Sequence, residues 1–260
     1  MTIGLCYSFY GNTINDKQVS NRSVILRIVY LAECLAYLSL ILLPGSVLFV
    51  RLAPAQYSAA LLCFALSALL ALIAIGISAV FTRRQSDSAH RRRLSRAAVL
   101  SIPAIGFFAF SLYLGSGSPM IHDISTDTED PPQFVQARQL RSDYHNTLAY
   151  TDSIAEQQRL AYPALQSLTV PRPLAEAQTL ALRTIEELGW TVTASSPGHI
   201  EATDQSFWFG FIDDVVIRIE ADAQSSTIDL RSASRVGKGD LGANARRIQR
   251  FLTHYQQSLN

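Results

Sequence analysis

Cysteine is scarce, and its placement matters more than its number. Cys6, Cys34 and Cys63 all precede residue 64, so no disulfide can staple the C-terminal half. Neither they nor the scattered His90, His122, His145, His199 and His254 keep a metal-ligand spacing, so no metal and no cofactor is expected. Ser232 and Ser234 lack the G-x-S-x-G context of a hydrolase elbow. Nucleic-acid motifs are missing too, and the acidic C-terminal part argues against a nucleic-acid partner.

Charge is nearly missing from three long runs, 28–50, 58–81 and 97–114. Each can cross a bilayer as a helix, which takes about 17–25 apolar residues. The first run is too long, and is followed by too many others, to read as a cleaved signal peptide. Its "LAEC" around Cys34 also makes a poor lipoprotein signal, because Glu33 precedes the cysteine. Glu33 is the one acid in the runs; it is placed to snorkel or to pair with Arg27 or Arg22, with a buried relay role as the alternative. With no second acid as partner, the helices read as an anchor rather than a transport path. Ala60, Ser67, Ala71 and Ser78 make a small-residue packing stripe along the second run.

What charge there is sorts by position. Residues 1–114 carry ten Lys/Arg and three Asp/Glu, and residues 115–260 carry twelve and eighteen. The loop 82–96 holds six arginines, which keep short loops cytoplasmic. The expectation is a multi-pass protein of a bacterial inner membrane. Residues 1–27 are its cytoplasmic N-terminal segment, 28–114 its transmembrane region, and the acidic remainder lies in the periplasm.

Residues 115–164 show little periodicity and read as an extended strap or linker, with helical turns around 133–141 and 153–162. From residue 165 the pattern sharpens into an α+β domain, 165–260. "LQSLTV" reads as a strand, and "PLAEAQTLALRTIEEL" as a helix with Pro173 at its start and Gly189 at its stop. "WTVTA", "HIEATDQ", "DDVVIRIEA" and "TIDLRSAS" follow as strands, then a last helix from Leu241 to about Leu259. Leu241, Ile248, Leu252 and Tyr255 form its buried stripe, and Asp240 is its N-cap. The order strand, helix, four strands, helix predicts an antiparallel sheet of about five strands with two helices on one face. With the last hairpin turning over 221–226, Glu220 faces Thr227, Arg218 faces Asp229 and Val216 faces Arg231. Val215, Ile217, Ile219, Ile228 and Leu230 then point at the helices. Arg218, Asp229, Arg231 and Arg235 point the other way.

"IHDISTDTEDPPQF", "IEATDQSFWFGFIDDVVIRI" and "DLRSASRVGKGDLGANARRI" resemble, in order, the signature blocks of a bacterial and plant family known as the domain of unknown function 1499. The resemblance covers roughly residues 120–255. It implies a domain boundary, and membrane helices ahead of the domain as in related bacterial proteins; it carries no activity and no catalytic residues.

Gly237, Gly239 and Gly242 spell G-x-G-x-x-G, the dinucleotide fingerprint. That fingerprint needs a parallel strand and an acid about 20 residues on, and the chain ends too soon. The reading is a turn into a capped helix, with an anion site at Arg235, Lys238 and Arg247 as its alternative. Asp213 and Asp214 are adjacent on a strand, so they point to opposite faces and form no simple dyad; one should pair with Arg231 or Arg235. Phe207, Trp208, Phe209 and Phe211 are expected in the core or between sheet and strap, with a membrane-surface loop as the alternative.

The leading expectation is a non-enzymatic domain whose polar sheet face binds an envelope protein or an anionic small molecule. Together with the strap, that face would bind through Arg218, Arg231 and Arg235, with Lys238 and Arg247 as further ligand-binding candidates beside the glycine-rich turn. The double change Arg231→Ala and Arg235→Ala should then abolish capture and leave the fold intact. The alternative is a hydrolase or transferase acting on an anionic envelope substrate through His122, Asp123, Asp213 or Asp214.

Overall fold

The apolar runs form three helices, α1 (Gly4–Leu52), α2 (Tyr57–Thr82) and α3 (Ser88–Gly115), in the computed structural model of the chain. It describes residues 4–85, 87–222 and 224–259, with side chains from residue 22 onward, so Cys6 and Lys17 lie outside the described side chains. Residues 22–52, 54–82 and 88–115 are each long and apolar enough to cross a membrane. The first helix starts well ahead of its apolar run, so residues 4–27 are helical and continuous with it. More than half of the basic loop, residues 88–96, is also the first turns of α3. Both Pro44 and Pro103 sit inside continuous helices.

The chain divides into two compact units, 1–110 and 111–260. In the first, the expected stripe of Ala60, Ser67, Ala71 and Ser78 is buried. Phe64 of α2 lies against the rings of Phe107 and Phe108 of α3, at 5.4 and 5.6 Å. Close backbones and interlocked aromatics are what holds helices together where lipid removes the hydrophobic drive. Glu33 is 7 % exposed and is bound by Arg93 (3.0 Å) and by Arg96, both from the start of α3. Arg27 and Arg22 are therefore not its partners. At about 100° per residue Arg27 lies about 120° round the helix from Glu33, and Arg22, on the same face, sits about 16 Å back.

Among its described residues the second unit holds six strands: β1 (Asp123–Ser125), β2 (Leu168–Val170), β3 (Thr191–Ser196), β4 (His199–Gln205), β5 (Ile212–Ala221) and β6 (Ser226–Ser234). Its helices are α4 (Gln136–Leu140), α5 (Asp152–Ala161), α6 (Leu174–Glu187) and α7 (Ala243–Gln257). The sheet is antiparallel in the order β1-β6-β5-β4-β3, with β2 also on β6. The sixth strand is β1, hidden in the strap as three residues without a periodic neighbourhood.

The β5–β6 hairpin has the expected register: Glu220 with Thr227, Arg218 with Asp229, Val216 with Arg231. Asp222 closes its turn by accepting from the amides of Gln224 and Ser225; Ala223 lies outside the described residues. Val215, Ile217, Ile219, Ile228 and Leu230 enter one core with Ala177, Ala181 and Ile185 of α6 and Ile248, Phe251, Leu252 and Tyr255 of α7. Leu241 does not join this stripe. It is 46 % exposed with φ +54°, because α7 begins two residues later than the sequence pattern implies.

The other sheet face is not open. Phe134, Ala137 and the partly buried Leu148 of the strap pack on Val216 and Ala233, so the strap is a third layer.

Candidate functional site

The strap is held through the charges expected to bind a ligand. Arg231, from the middle of β6, is 1 % exposed. Its Nε and Nη2 donate to the two carboxylate oxygens of Asp123 at 2.9 and 2.7 Å. It also donates to the carbonyls of Pro132 (3.2 Å) and Leu148 (2.9 Å) and lies between the rings of Phe134 and Tyr150. Burial and the Asp123 charge together push the Tyr150 phenol above its ordinary pKa. Arg231 is thus a bolt between sheet and strap, with no face left for a ligand.

Asp214 makes a second bolt. It accepts from Nε of Arg141, a strap residue, at 2.9 Å and from Nη2 of Arg235 at 2.7 Å. Arg141 also donates to the carbonyls of Asn146 and Ala233. The third is Glu201 on β4, whose carboxylate accepts from the amides of Val135, Gln136 and Ala137 at 2.6–2.8 Å and contacts His199 at 3.0 Å. Those amides open α4, so the carboxylate supplies what a helix start lacks. Burial works to raise the Glu201 pKa, but His199 and the three amides outweigh it and hold it below the usual range. A depressed native pKa gives stability that is fully present above the ordinary glutamate value near 4.5 and lost as pH falls through the native value. Glu201→Gln is expected to lose about 1.5–3 kcal/mol at neutral pH, the worth of hydrogen bonds to a charge. The gap to the wild type should close as pH drops below that value. Urea unfolding at several pH values checks both points; a gap independent of pH would contradict them.

On the helix side of the sheet, Arg247 of α7 donates to Asp204 (2.7 Å) and Asp213 (2.6 Å), and to Ser232 and Asn244. Burial opposes its charge, but the two carboxylates overcome that and raise its pKa. Asp213 and Asp214 do point to opposite faces, the first paired with Arg247 and the second with Arg141 and Arg235. His122, the other candidate, meets its neighbours through its carbonyl, which accepts from Ser234 N–H at 2.8 Å. His122, Asp123, Asp213 and Asp214 are therefore not brought together in one cleft. Among the described residues no group of His, Cys, Asp or Glu could hold a metal ion.

The glycine-rich turn follows an antiparallel strand and leads into α7. Gly237 and Gly242 take φ +90° and +77°, which favours glycine. The Asp240 carboxylate accepts from the amides of Gly242 and Asn244 at 2.8 and 2.7 Å. The place an anion would take at the α7 start is filled by the chain itself. Lys238 is exposed on this turn and has no carboxylate partner among the described residues.

Arg218 differs from the others because it borders open space. It binds Asp130 (2.6 Å), Asp127 (2.9 Å) and Asp229 (3.1 Å) at the edge of a cavity of about 410 Å³. Asp127, Asp130, Glu220, Asp222 and Asp229 line that groove against the single Arg218, with Ser167, Ser225 and Thr227 between them. Sequence reading marked Arg218 but missed the acids from the strap, which only the fold brings round. A second depression outside α6 has its arginines already paired, Arg172 with Glu176 and Arg183 with Glu187.

The aromatic run departs from expectation. Phe207 is 79 % and Trp208 56 % exposed, at the tip of the β4–β5 connection, rather than in the core or under the strap. Ser206 and Phe211 close the loop below them by a 2.8 Å backbone bond, which turns the tip residues outward.

The model of one protein family, described as "Protein of unknown function (DUF1499)", matches residues 123–254, just over half of the chain. That span begins at β1 and takes in the strap, the sheet and nearly all of α7. No curated protein matches the chain.

Proposed function

The chain belongs to the DUF1499 family of proteins of unknown function, and from that premise we propose a membrane-anchored binding protein. Its three apolar helices hold it in a bacterial inner membrane, N-terminus in the cytoplasm, and its α+β domain works on the periplasmic side. Arg83, Arg84, Arg91, Arg92, Arg93 and Arg96, between the second and third spans, support that orientation. The domain captures a basic segment of an envelope protein in the groove at Arg218.

The lining of that groove carries the reading. Its carboxylates outnumber its one guanidinium, so its potential favours a cation, and an anionic small molecule would meet repulsion. The other arginines first assigned to a ligand are occupied by their own fold. The hydrolase or transferase reading needs an acid, a base and a shared cleft; no observation favours it.

A photo-crosslinker placed at Ala221 in the full-length protein tests the proposal in intact cells. It should trap an envelope protein on the periplasmic side. Asp130→Lys with Glu220→Lys, both at exposed carboxylates, should weaken that adduct about tenfold or more through like-charge repulsion. An adduct indifferent to the reversal, or one formed only with a cytoplasmic protein, overturns it.

A further inference from the structure

The helical unit, 1–110, holds an ion cluster with one charge too many. One carboxylate oxygen of Glu33 accepts from Nη1 of Arg93 at 3.0 Å. The other accepts from both Nε (3.1 Å) and Nη2 of Arg96. Two guanidiniums thus share one carboxylate, and one positive charge has no countercharge. Arg93 also lies over the ring of Tyr30, 4.6 Å from its centroid. Its Nε and Nη2, and Nη1 of Arg96, have no acceptor among the described residues.

The position of the cluster decides what meets those donors. The apolar run of α1 begins at residue 28 and that of α3 at residue 97. With one span between them, α1 and α3 cross in the same direction, so both runs begin at one surface of the bilayer. Tyr30 and Tyr37 are each 44 % exposed and lie one turn to either side of Glu33, on the same flank of α1. Tyrosines at a span end mark the headgroup level. The Arg93 and Arg96 side chains are 37 % and 54 % exposed, with the buried carboxylate behind them. Guanidiniums grip phosphate oxygens through paired N–H groups, and basic pockets between spanning helices suit lipid headgroups. A phosphatidylcholine brings its own cation. An anionic phospholipid supplies the missing charge.

We propose that Arg93 and Arg96 hold the phosphodiester of an anionic phospholipid between α1 and α3, with Tyr30 and Tyr37 flanking it. Glu33 is a positioning residue, which fixes both guanidiniums and cancels one of their two charges. The site rests on the reading of these helices as membrane spans, and neither on the Arg218 groove nor on the direction of insertion.

The test uses the full-length protein in phosphatidylcholine vesicles, probed at high salt with spin-labelled phosphatidylglycerol or spin-labelled phosphatidylcholine. High salt screens fully exposed arginines more than a partly buried pair. The immobilised fraction should favour phosphatidylglycerol about fivefold, the weight of one charge near the surface. Glu33→Gln frees the second charge and should raise the preference roughly fivefold further, whereas a clamp without a ligand would only loosen. Glu33→Gln with Arg93→Gln and Arg96→Gln should bring the two lipids near parity, and circular dichroism checks that the helices persist. Arg84→Gln with Arg91→Gln removes as many arginines, Arg91 lying about 160° round α3 from Arg93, and should change nothing. An equal loss in that control, or a wild type without preference, overturns the proposal. Displacement of the label by inorganic phosphate would give the site to the free anion and overturn it too. Alkaline extraction separates the two readings. Protein washed off the vesicles sinks the anchor and the site together, whereas protein that stays without a preference sinks the site alone.

Discussion

Arg231→Ala is expected to cost the domain about 3–5 kcal/mol, because it leaves the fully buried Asp123 carboxylate without its countercharge. The carbonyls of Pro132 and Leu148 lose a donor in the same step. Against a whole-domain stability of about 5–15 kcal/mol, that is enough to unfold part of the population. Urea unfolding of the purified protein measures it. The companion double variant, Arg231→Met with Asp123→Leu, removes both charges, and such swaps are often neutral. Recovery of most of the loss identifies the pair as structural. An Arg231→Ala protein as stable as the wild type would return Arg231 to the ligand-binding role that its sequence context suggests.

Asp214→Ala has an effect of similar size by a different route, again about 3–5 kcal/mol, since it strands two nearly buried guanidiniums at once. Arg141 belongs to the strap and Arg235 to the end of β6, so the loss falls on the seam between them. Trypsin cleavage at Arg138 and Arg141 should become fast while the β5–β6 hairpin stays protected. Asp214→Asn keeps one acceptor and should fall between the two proteins. If the strap resists trypsin as well in Asp214→Ala as in the wild type, the seam is held elsewhere.

The sheet was legible because alternation is a local signal. Val215, Ile217 and Ile219 against Asp214, Val216 and Arg218 declare two faces within a few residues, and the β5–β6 register follows. The opposite faces of Asp213 and Asp214 come from the same rule. The strap was not legible, because its partners are remote. Asp123 and Arg231 are 108 positions apart, and no period links them. Glu201 looked like an ordinary strand residue until α4 presented its amides. Both failures trace to one cause: a polar sheet face reads as solvent-facing when the layer above it is irregular. Phe207 and Trp208 failed the other way, since aromatic residues default to cores and only the loop closed by Ser206 turns them out.

β6 comes after the other described strands in the chain, yet it is the strand on which β1, β2 and β5 all pair. During synthesis at about 5–20 residues per second, Asp123 waits roughly 5–20 s for Arg231 to be added. Over that interval Ile124, Phe134 and Tyr150 have no sheet to lie on, so a nascent chain stalled before residue 226 is a substrate for chaperones and proteases rather than a partly finished domain. The layers of this domain therefore close together or not at all, according to whether the β5–β6 hairpin and α7 are in place.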